Sequence, residues 1–381
     1  MVDEEPPSGY EFISKVNDYY QNLLGYSVEQ TRIKEIPVED WMEFVTQRGF
    51  KKNSSGIYLP RNQTAIILMK NKLSLFHEYF GHGLFCEQSL IGKKLVDLEK
   101  TLLKEEEQRF QGEQFTLLEL HRFRGQNKTF EELNELREQN LGLYEIFATW
   151  TEYFLSKKFE QNNQFEKKYD SVQQKDKTSI DELISFSKIY GDLATFYNFG
   201  MARKTTPERV SKLLFDIYGE KLKEVKLAVL YGSRKEFSDI DVFVVSEDLP
   251  ETDCSWLDVR VERESDFEKM IKMFDVSITG LAIDSEFVIG DKNYFEKKKR
   301  QLAEQSITEE AIKYNLEKSE EQKRLAMQFE ENSRKNIHGL TYSLTYLKNA
   351  IALKQNRRLL SKELLYSQSE SIKMKGGFRI R

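Results

Sequence analysis

Cysteine is scarce in this chain. Only Cys86 and Cys254 occur in 381 residues, and they fall in different expected domains. That excludes a disulfide framework and makes a reducing cytosol the expected setting. Long apolar runs are missing too. None approaches the roughly 18 residues that a membrane span needs. Residues Met1 to Gly9 are acidic and proline-containing, with no apolar stretch of the secretory kind. No single sign of charge dominates: 58 Lys and Arg stand against 63 Asp and Glu, a net charge of −5. A global basic bias toward nucleic acid is thereby excluded, while a local basic cleft is not. Histidine is sparse as well, with four in all. What is present is 39% apolar and 32% charged residues over a length suited to two or three domains.

Periodicity predicts helices over Tyr10–Leu24 and Pro37–Arg48, then strands over Gly56–Pro60 and Thr64–Met69. Helices are expected again over Lys93–Gln111, Phe130–Phe159 and Ile180–Gly200. The Lys/Gln/Asn/Glu-rich stretch Lys157–Asp176 reads as a solvated helix end or connector. Thr205-Thr206-Pro207-Glu208 is a helix start, with a Thr cap, proline at the first position and acid in the first turn. Gly219 suits its end, and a domain border falls near residues 200 to 205. Beyond Asp291 the chain turns helical and charged. Ile307–Leu353 lacks proline and holds Gly339 as its one glycine. Arg334 and His338 are one residue too close for the paired Arg and His of HEPN ribonucleases, so His338 is expected on a helix surface or in a core. Gly376–Arg381 is expected to be a tail.

Asp239 and Asp241 open an apolar run, Asp239-Ile240-Asp241-Val242-Phe243-Val244-Val245, just after Tyr231-Gly232-Ser233-Arg234. Side chains alternate along a strand, so both carboxylates share a face. Two acids on one face repel unless a cation lies between them, which makes the pair a seat for Mg²⁺, an ion that takes hard oxygen ligands shared with phosphates. The Gly-Ser turn can offer backbone N–H groups to a phosphate. In Trp256-Leu257-Asp258-Val259-Arg260-Val261 the apolar residues alternate with Asp258, which makes it the candidate third carboxylate. Glu262 shares its face and is the runner-up. The plainer alternative is a solvated strand end with stray acids.

These residues resemble the catalytic core of the DNA polymerase β-like nucleotidyltransferase superfamily, especially its minimal prokaryotic members. Gly232, Ser233, Asp239 and Asp241 match its Gly-Ser and Asp-x-Asp pattern, and Lys226–Tyr231 is similar to the strand that delivers the glycine. The likeness covers roughly Thr205 to Lys299, and its spacer between Ser233 and Asp239 is shorter than in many members. It implies two Mg²⁺ ions bridging Asp239, Asp241 and the phosphates. Asp258 would be a ligand on the nucleophile side and a possible base. Gly232 and Ser233 would hold the phosphates, with added charge from Arg234 or Lys235.

A second motif precedes it. Leu75-Phe76-His77-Glu78-Tyr79-Phe80-Gly81-His82-Gly83 reads H-E-x-x-x-H, one residue longer than the H-E-x-x-H zinc motif. On an α-helix, residues five apart differ by about 140° around the axis, so both histidines could not reach one metal. A single π-type turn would realign them, and such turns are frequent at functional sites. Gly81 and Gly83 each cost about 1 kcal/mol inside a helix, and a local rule broken where the ligands need it is a functional hint. Two strands followed by this helix look like the zincin metallopeptidase superfamily, a minority of which uses H-E-x-x-x-H. The stretch Leu143–Tyr153 resembles the gluzincin helix that supplies the third ligand. Glu145 is the first choice there, with Glu152 second and His121 an outside candidate. The resemblance implies Zn²⁺ held by His77, His82 and Glu145, with Glu78 as the proton carrier. A buried helix with two satisfied histidines is the plainer alternative.

The expected fold class is α+β. A zincin-like domain over 1–203, a small sheet plus active-site helices, precedes a polymerase β-like nucleotidyltransferase α/β domain over 204–300 and a C-terminal helical region over 301–381. The expected activity is Mg²⁺-dependent transfer of an NMP from an NTP to an acceptor, fused to zinc-dependent cleavage of a protein or peptide. The acceptor could be an RNA end, a protein hydroxyl or a small molecule. The rival class is a regulatory or antitoxin-like binding protein with one or both metal sites idle. No membrane partner is expected.

Overall fold

The computed structural model describes residues 9–51, 54–111, 116–159, 164–169, 174–232, 235–282, 284–331 and 333–358. Ser233, Arg234 and the expected tail Gly376–Arg381 lie outside them. The chain is of mixed α and β composition and divides into two compact units, Met1–Lys204 and Thr205–Arg381. Among the described residues no helix is long and apolar enough to cross a membrane.

Unit 1 begins with α1 (Gly9–Leu24), β1 (Arg32–Ile36), α2 (Val38–Gln47), β2 (Gly56–Leu59) and β3 (Thr64–Leu68). The strand order is β1-β3-β2, with β1 parallel and β2 antiparallel to β3. The apolar run of β3 explains its central place: Ala65, Ile66 and Ile67 are all buried. Charged β1 (Arg-Ile-Lys-Glu-Ile) gave no strand signal and forms an edge. Trp41 and Val45 of α2 pack on Ile36 and Ile66. Ala65 and Ile67 alternate to the opposite face.

The chain then runs through α3 (Lys72–Ser74), a π-helix (Leu75–Gly83) and α4 (Leu84–Gln88). After these come α5 (Leu90–Phe110), α6 (Leu117–Arg124), the long α7 (Lys128–Phe159), α8 (Gln164–Tyr169) and α9 (Gln174–Asn198). An aromatic core locks α7 to its neighbours. Phe147 meets Phe199 edge-on with centroids 4.9 Å apart, and Trp150 meets Phe196 at the same distance. Such pairs add about 0.5–1.5 kcal/mol each beyond their burial. On α4 the buried carboxylate of Glu87 clasps the segment before β1. It accepts hydrogen bonds from the amides of Glu29 (2.8 Å), Gln30 (3.0 Å) and Thr31 (2.7 Å) and from the Thr31 hydroxyl (2.7 Å).

Unit 2 holds α10 (Pro207–Tyr218), β4 (Leu227–Tyr231), β5 (Ile240–Val245), β6 (Thr252–Cys254), β7 (Leu257–Glu262), α11 (Glu264–Lys272), β8 (Glu286–Gly290), α12 (Lys292–Glu304), α13 (Glu309–Ala326) and α14 (Arg334–Lys354). The Thr206 hydroxyl caps α10, and Gly219 follows its end. The sheet order is β6-β7-β5-β4-β8, parallel between β5 and β7 and antiparallel elsewhere. Leu227, Val229, Phe243 and Val245 turn one face toward Phe267 and Ile271 of α11 and Phe295 of α12.

The helices beyond residue 301 share this unit rather than standing apart. Met273, Phe274 and Leu302 pack with Ala311 and Leu353. Asn349 donates to the carbonyl of Phe274 at 2.7 Å, and Asn315 donates to that of Met273 at 2.8 Å. Buried Asp275 accepts from the hydroxyls of Tyr314 (2.7 Å) and Tyr346 (3.0 Å). Such bonds to an ionised acceptor are the stronger kind, about 1.5–3 kcal/mol each. His338 is exposed on α14, its ring 4.8 Å from that of Tyr342.

Replacing Glu87 by alanine leaves three amides and a hydroxyl without their acceptor, and is expected to cost roughly 3 kcal/mol of stability. Urea unfolding of the full chain followed by circular dichroism checks this; an unchanged midpoint would show that water replaces the carboxylate.

Candidate metal centre

The π-helix solves the spacing of the two histidines. Its wider turn places residues five apart on one side, and the rings of His77 and His82 lie with centroids 4.8 Å apart, nearly perpendicular at 88°. Both present Nε2 to one oxygen of Glu145 on α7, at 3.7 Å from His77 and 3.8 Å from His82. Among the described residues, these three form the group whose donor atoms all lie within 4.8 Å of one another. The set of two imidazole nitrogens and one carboxylate oxygen suits a zinc ion with an open position.

Close helix packing makes this possible. A Cβ on Gly81 would stand 2.7 Å from Cα of Ala148, one turn from Glu145 on α7. Only glycine lets the two backbones approach so far, which explains why its propensity cost is accepted here. His82 is buried and stacks on Tyr144, with centroids 3.9 Å apart and planes at 22°. Its Nδ1 finds no hydrogen-bond partner among the described residues. Glu78 is buried on the π-helix and lies against Gly56 of β2.

Glu152, the second choice for third ligand, takes another part. It lies seven residues beyond Glu145, fully buried, and meets Nδ1 of His77 at 3.1 Å. Lys168 of α8 donates to both of its oxygens at 2.8 Å. The stretch Lys157–Asp176 is therefore more than a solvated connector, since it supplies the charge that balances Glu152. Its sequence carries no sign of this, because one lysine in a polar stretch looks like any other. Tyr144 was missed as well, although its place beside Glu145 was visible. His121 is exposed on α6 and outside the cluster.

The electrostatics are those of a tightly coupled cluster. Burial opposes a charge on His77, but the carboxylates of Glu145 at 3.7 Å and Glu152 at 3.1 Å outweigh it and lift its pKa to about 10. Burial, then the charge on His77, pushes His82 down to about 3. Burial pushes Glu78 up to about 7. Burial also works against charge on Glu145, yet the facing imidazoles of His77 and His82 hold it at about 2.

In unit 2 the strand register lines up the acids. Asp241 on β5 stands opposite Asp258 on β7, Asp258 opposite Asp253 on β6, and Asp241 opposite Tyr231 on β4. Residues in register share a face, so Asp253, Asp258, Asp241 and Tyr231 form one row across the sheet. Asp239 is exposed just ahead of β5. Burial, followed by the charges of Asp253 and Asp239, raises the pKa of Asp258. The three expected carboxylates are neighbours, without drawing as close as the histidine cluster. Gly232 has φ +82°, and a side chain there would overlap the Asp241 carboxylate. Glu262 is engaged by Arg260, whose Nε donates at 3.0 Å. Asp253 was missed because its strand has only three residues.

No protein-family model, curated protein or solved structure matches this chain.

His77 takes up a proton in the folded, metal-free chain well above the usual histidine value of about 6.5. Its contribution to stability is complete below that value and is lost as pH rises through about 10. His82 is already neutral in this range. If His77 is a metal ligand, a divalent metal would displace its proton, so zinc affinity should rise about tenfold per pH unit between about pH 7 and 9. Competition with a chromophoric chelator measures it, and a pH-independent affinity would remove His77 from the ligand set.

Proposed function

We propose that unit 1 is a zinc-dependent peptide hydrolase of zincin type. The observation that carries this reading is the convergence of His77, His82 and Glu145 beside buried Glu78. A zinc ion held there supplies Lewis acidity toward water and the scissile carbonyl. The chain's own groups do the rest. Glu78 shares the electrostatic field of His77 and Glu145, and burial brings its pKa to about 7, so it can both take and release a proton near neutrality. It takes the proton of the attacking water and returns it to the leaving amine. Buried His82 against Tyr144, and His77 against Glu152, keep the two imidazoles from turning away.

A second reading applies to unit 2: transfer of an NMP from an NTP to an acceptor hydroxyl. The row of Asp241 and Asp258 beside Gly232 supports it. Mg²⁺ bound by Asp239, Asp241 and Asp258 would neutralise the triphosphate. With no side chain, Gly232 would let a phosphate approach its backbone closely, and Ser233 and Arg234 would complete the phosphate-binding set in this reading. Asp258, whose pKa is raised, is suited to receive the acceptor's proton. Both cysteines are free, which fits a cytosolic enzyme.

Glu78→Gln is expected to keep one zinc per chain while peptide hydrolysis falls by roughly 10²–10⁴; elemental analysis with a quenched-peptide library reads both. Full cleavage by the variant would end the peptidase reading, and zinc without any cleavage by the parent chain would favour a binding protein. For unit 2, Asp241→Asn should abolish Mg²⁺-dependent labelling by an α-labelled NTP, and undiminished labelling would rule out the assignment.

A further inference from the structure

The centre in unit 1 contains a charge relay that ligand chemistry alone does not require. The two nitrogens of an imidazole point away from opposite sides of the ring. His77 turns Nε2 to Glu145 at 3.7 Å and Nδ1 to Glu152 at 3.1 Å. The Glu152 carboxylate has no exposure to water. An isolated buried carboxylate is costly, and such groups persist when paired and hydrogen-bonded. Its partner comes from a separate helix: Nζ of Lys168 donates to both oxygens at 2.8 Å. The Lys168 side chain is 41% exposed, so its ammonium reaches inward from the surface. With both carboxylate oxygens gripped, Glu152 has one orientation, and in it the carboxylate faces Nδ1.

We propose that Lys168 is a positioning residue of the metal centre: by fixing Glu152 it fixes the ring of His77 with Nε2 aimed at the metal. The proposal rests on the reading of His77, His82 and Glu145 as zinc ligands. It assigns to α8 a role in metal affinity although α8 contributes no ligand. Glu152 thereby serves as an anchor for a ligand and is kept from competing with Glu145 for the ion.

The test uses the full chain and reads zinc affinity by chelator competition, together with the visible absorption of the Co²⁺-loaded protein. Lys168→Met is expected to weaken zinc binding about 10–100-fold, the usual effect of removing an outer partner, and to shift the Co²⁺ bands. Lys168→Arg, which keeps the charge, should stay near the parent. Because Lys168→Met strands a buried charge, the double variant Glu152→Gln with Lys168→Met removes both charges and keeps the test open if the single variant fails to fold. It too should bind zinc more weakly. Parent-like affinity and Co²⁺ bands in the folded Lys168 variants would overturn the proposal while leaving the metal centre intact. Failure of the parent chain to bind zinc, or indifference of binding to His77→Ala, would instead overturn the metal-centre reading and the proposal with it.

Discussion

The close approach of the π-helix to α7 is the contact on which unit 1 depends. A side chain at residue 81 would collide with the backbone of Ala148. Glycine removes that collision and lets Glu145, one turn before Ala148, reach the histidines. The wide turn of the π-helix and the absence of a side chain at Gly81 are thus two halves of one solution. The first brings His77 and His82 to the same side, and the second brings the carboxylate to them. Neither is favourable locally: π-helical hydrogen bonding is poorer than α-helical, and glycine costs about 1 kcal/mol in a helix. Tertiary packing offsets both. Phe76 and Phe80 on the π-helix, and Phe147, Trp150 and Phe154 on α7, are buried in the aromatic core, and that burial is of a size to hold a strained element in place.

Unit 2 builds its row of acids by another device. No helix has to distort there. Register alone sets Asp241, Asp258 and Asp253 abreast on three strands, and a slip by one residue would turn them to the opposite face. The apolar alternation of β7 guards against such a slip, because Leu257 and Val259 are buried on the other side. Polar groups fix the helices beyond the sheet. The carbonyls of Met273 and Phe274 are taken by Asn315 and Asn349. Phe274 is itself held at φ +51°, unusual for a bulky residue. Buried Asp275 is tied by Tyr314 and Tyr346. Those tyrosines and asparagines are spread over α13 and α14, which ties both helices to the segment Met273–Asp275.

Much of this was legible in the sequence, and the limits have physical causes. A π turn is what would bring His77 and His82 to one side, and a π-helix is present at Leu75–Gly83. The alternation in Leu257–Val261 put Asp258 opposite the apolar residues, and its register with Asp241 follows from parallel pairing. Local patterns thus reached whatever a single helix or strand decides. They did not reach β1, whose charged edge has no strand signature, nor the grip of Lys168 on Glu152, which joins residues 16 apart across a helix boundary. Glu152 itself was visible as the next acid on the same face of α7, but whether it binds a metal or a histidine depends on α8. Asp253 escaped because three residues are too few to show a period.

The two clusters differ in the chemistry of their donors, and on the proposed readings that difference would select different ions. Imidazole nitrogen favours zinc over magnesium, whereas a set made only of carboxylates suits a hard ion that also accepts phosphate oxygens. In unit 1 the charge is nearly balanced before any metal arrives, since protonated His77 faces Glu145 and Lys168 faces Glu152. A metal held there, as proposed, would trade places with a proton. In unit 2 Asp241, Asp253 and Asp258 share one row, and the pKa of Asp258 is raised by burial first and then by the charges of Asp253 and Asp239. A cation entering there relieves like-charge repulsion and displaces no imidazole proton. On the proposed readings, occupancy of the first site would follow pH and the softness of the metal, and that of the second would follow divalent charge and the phosphates that come with it.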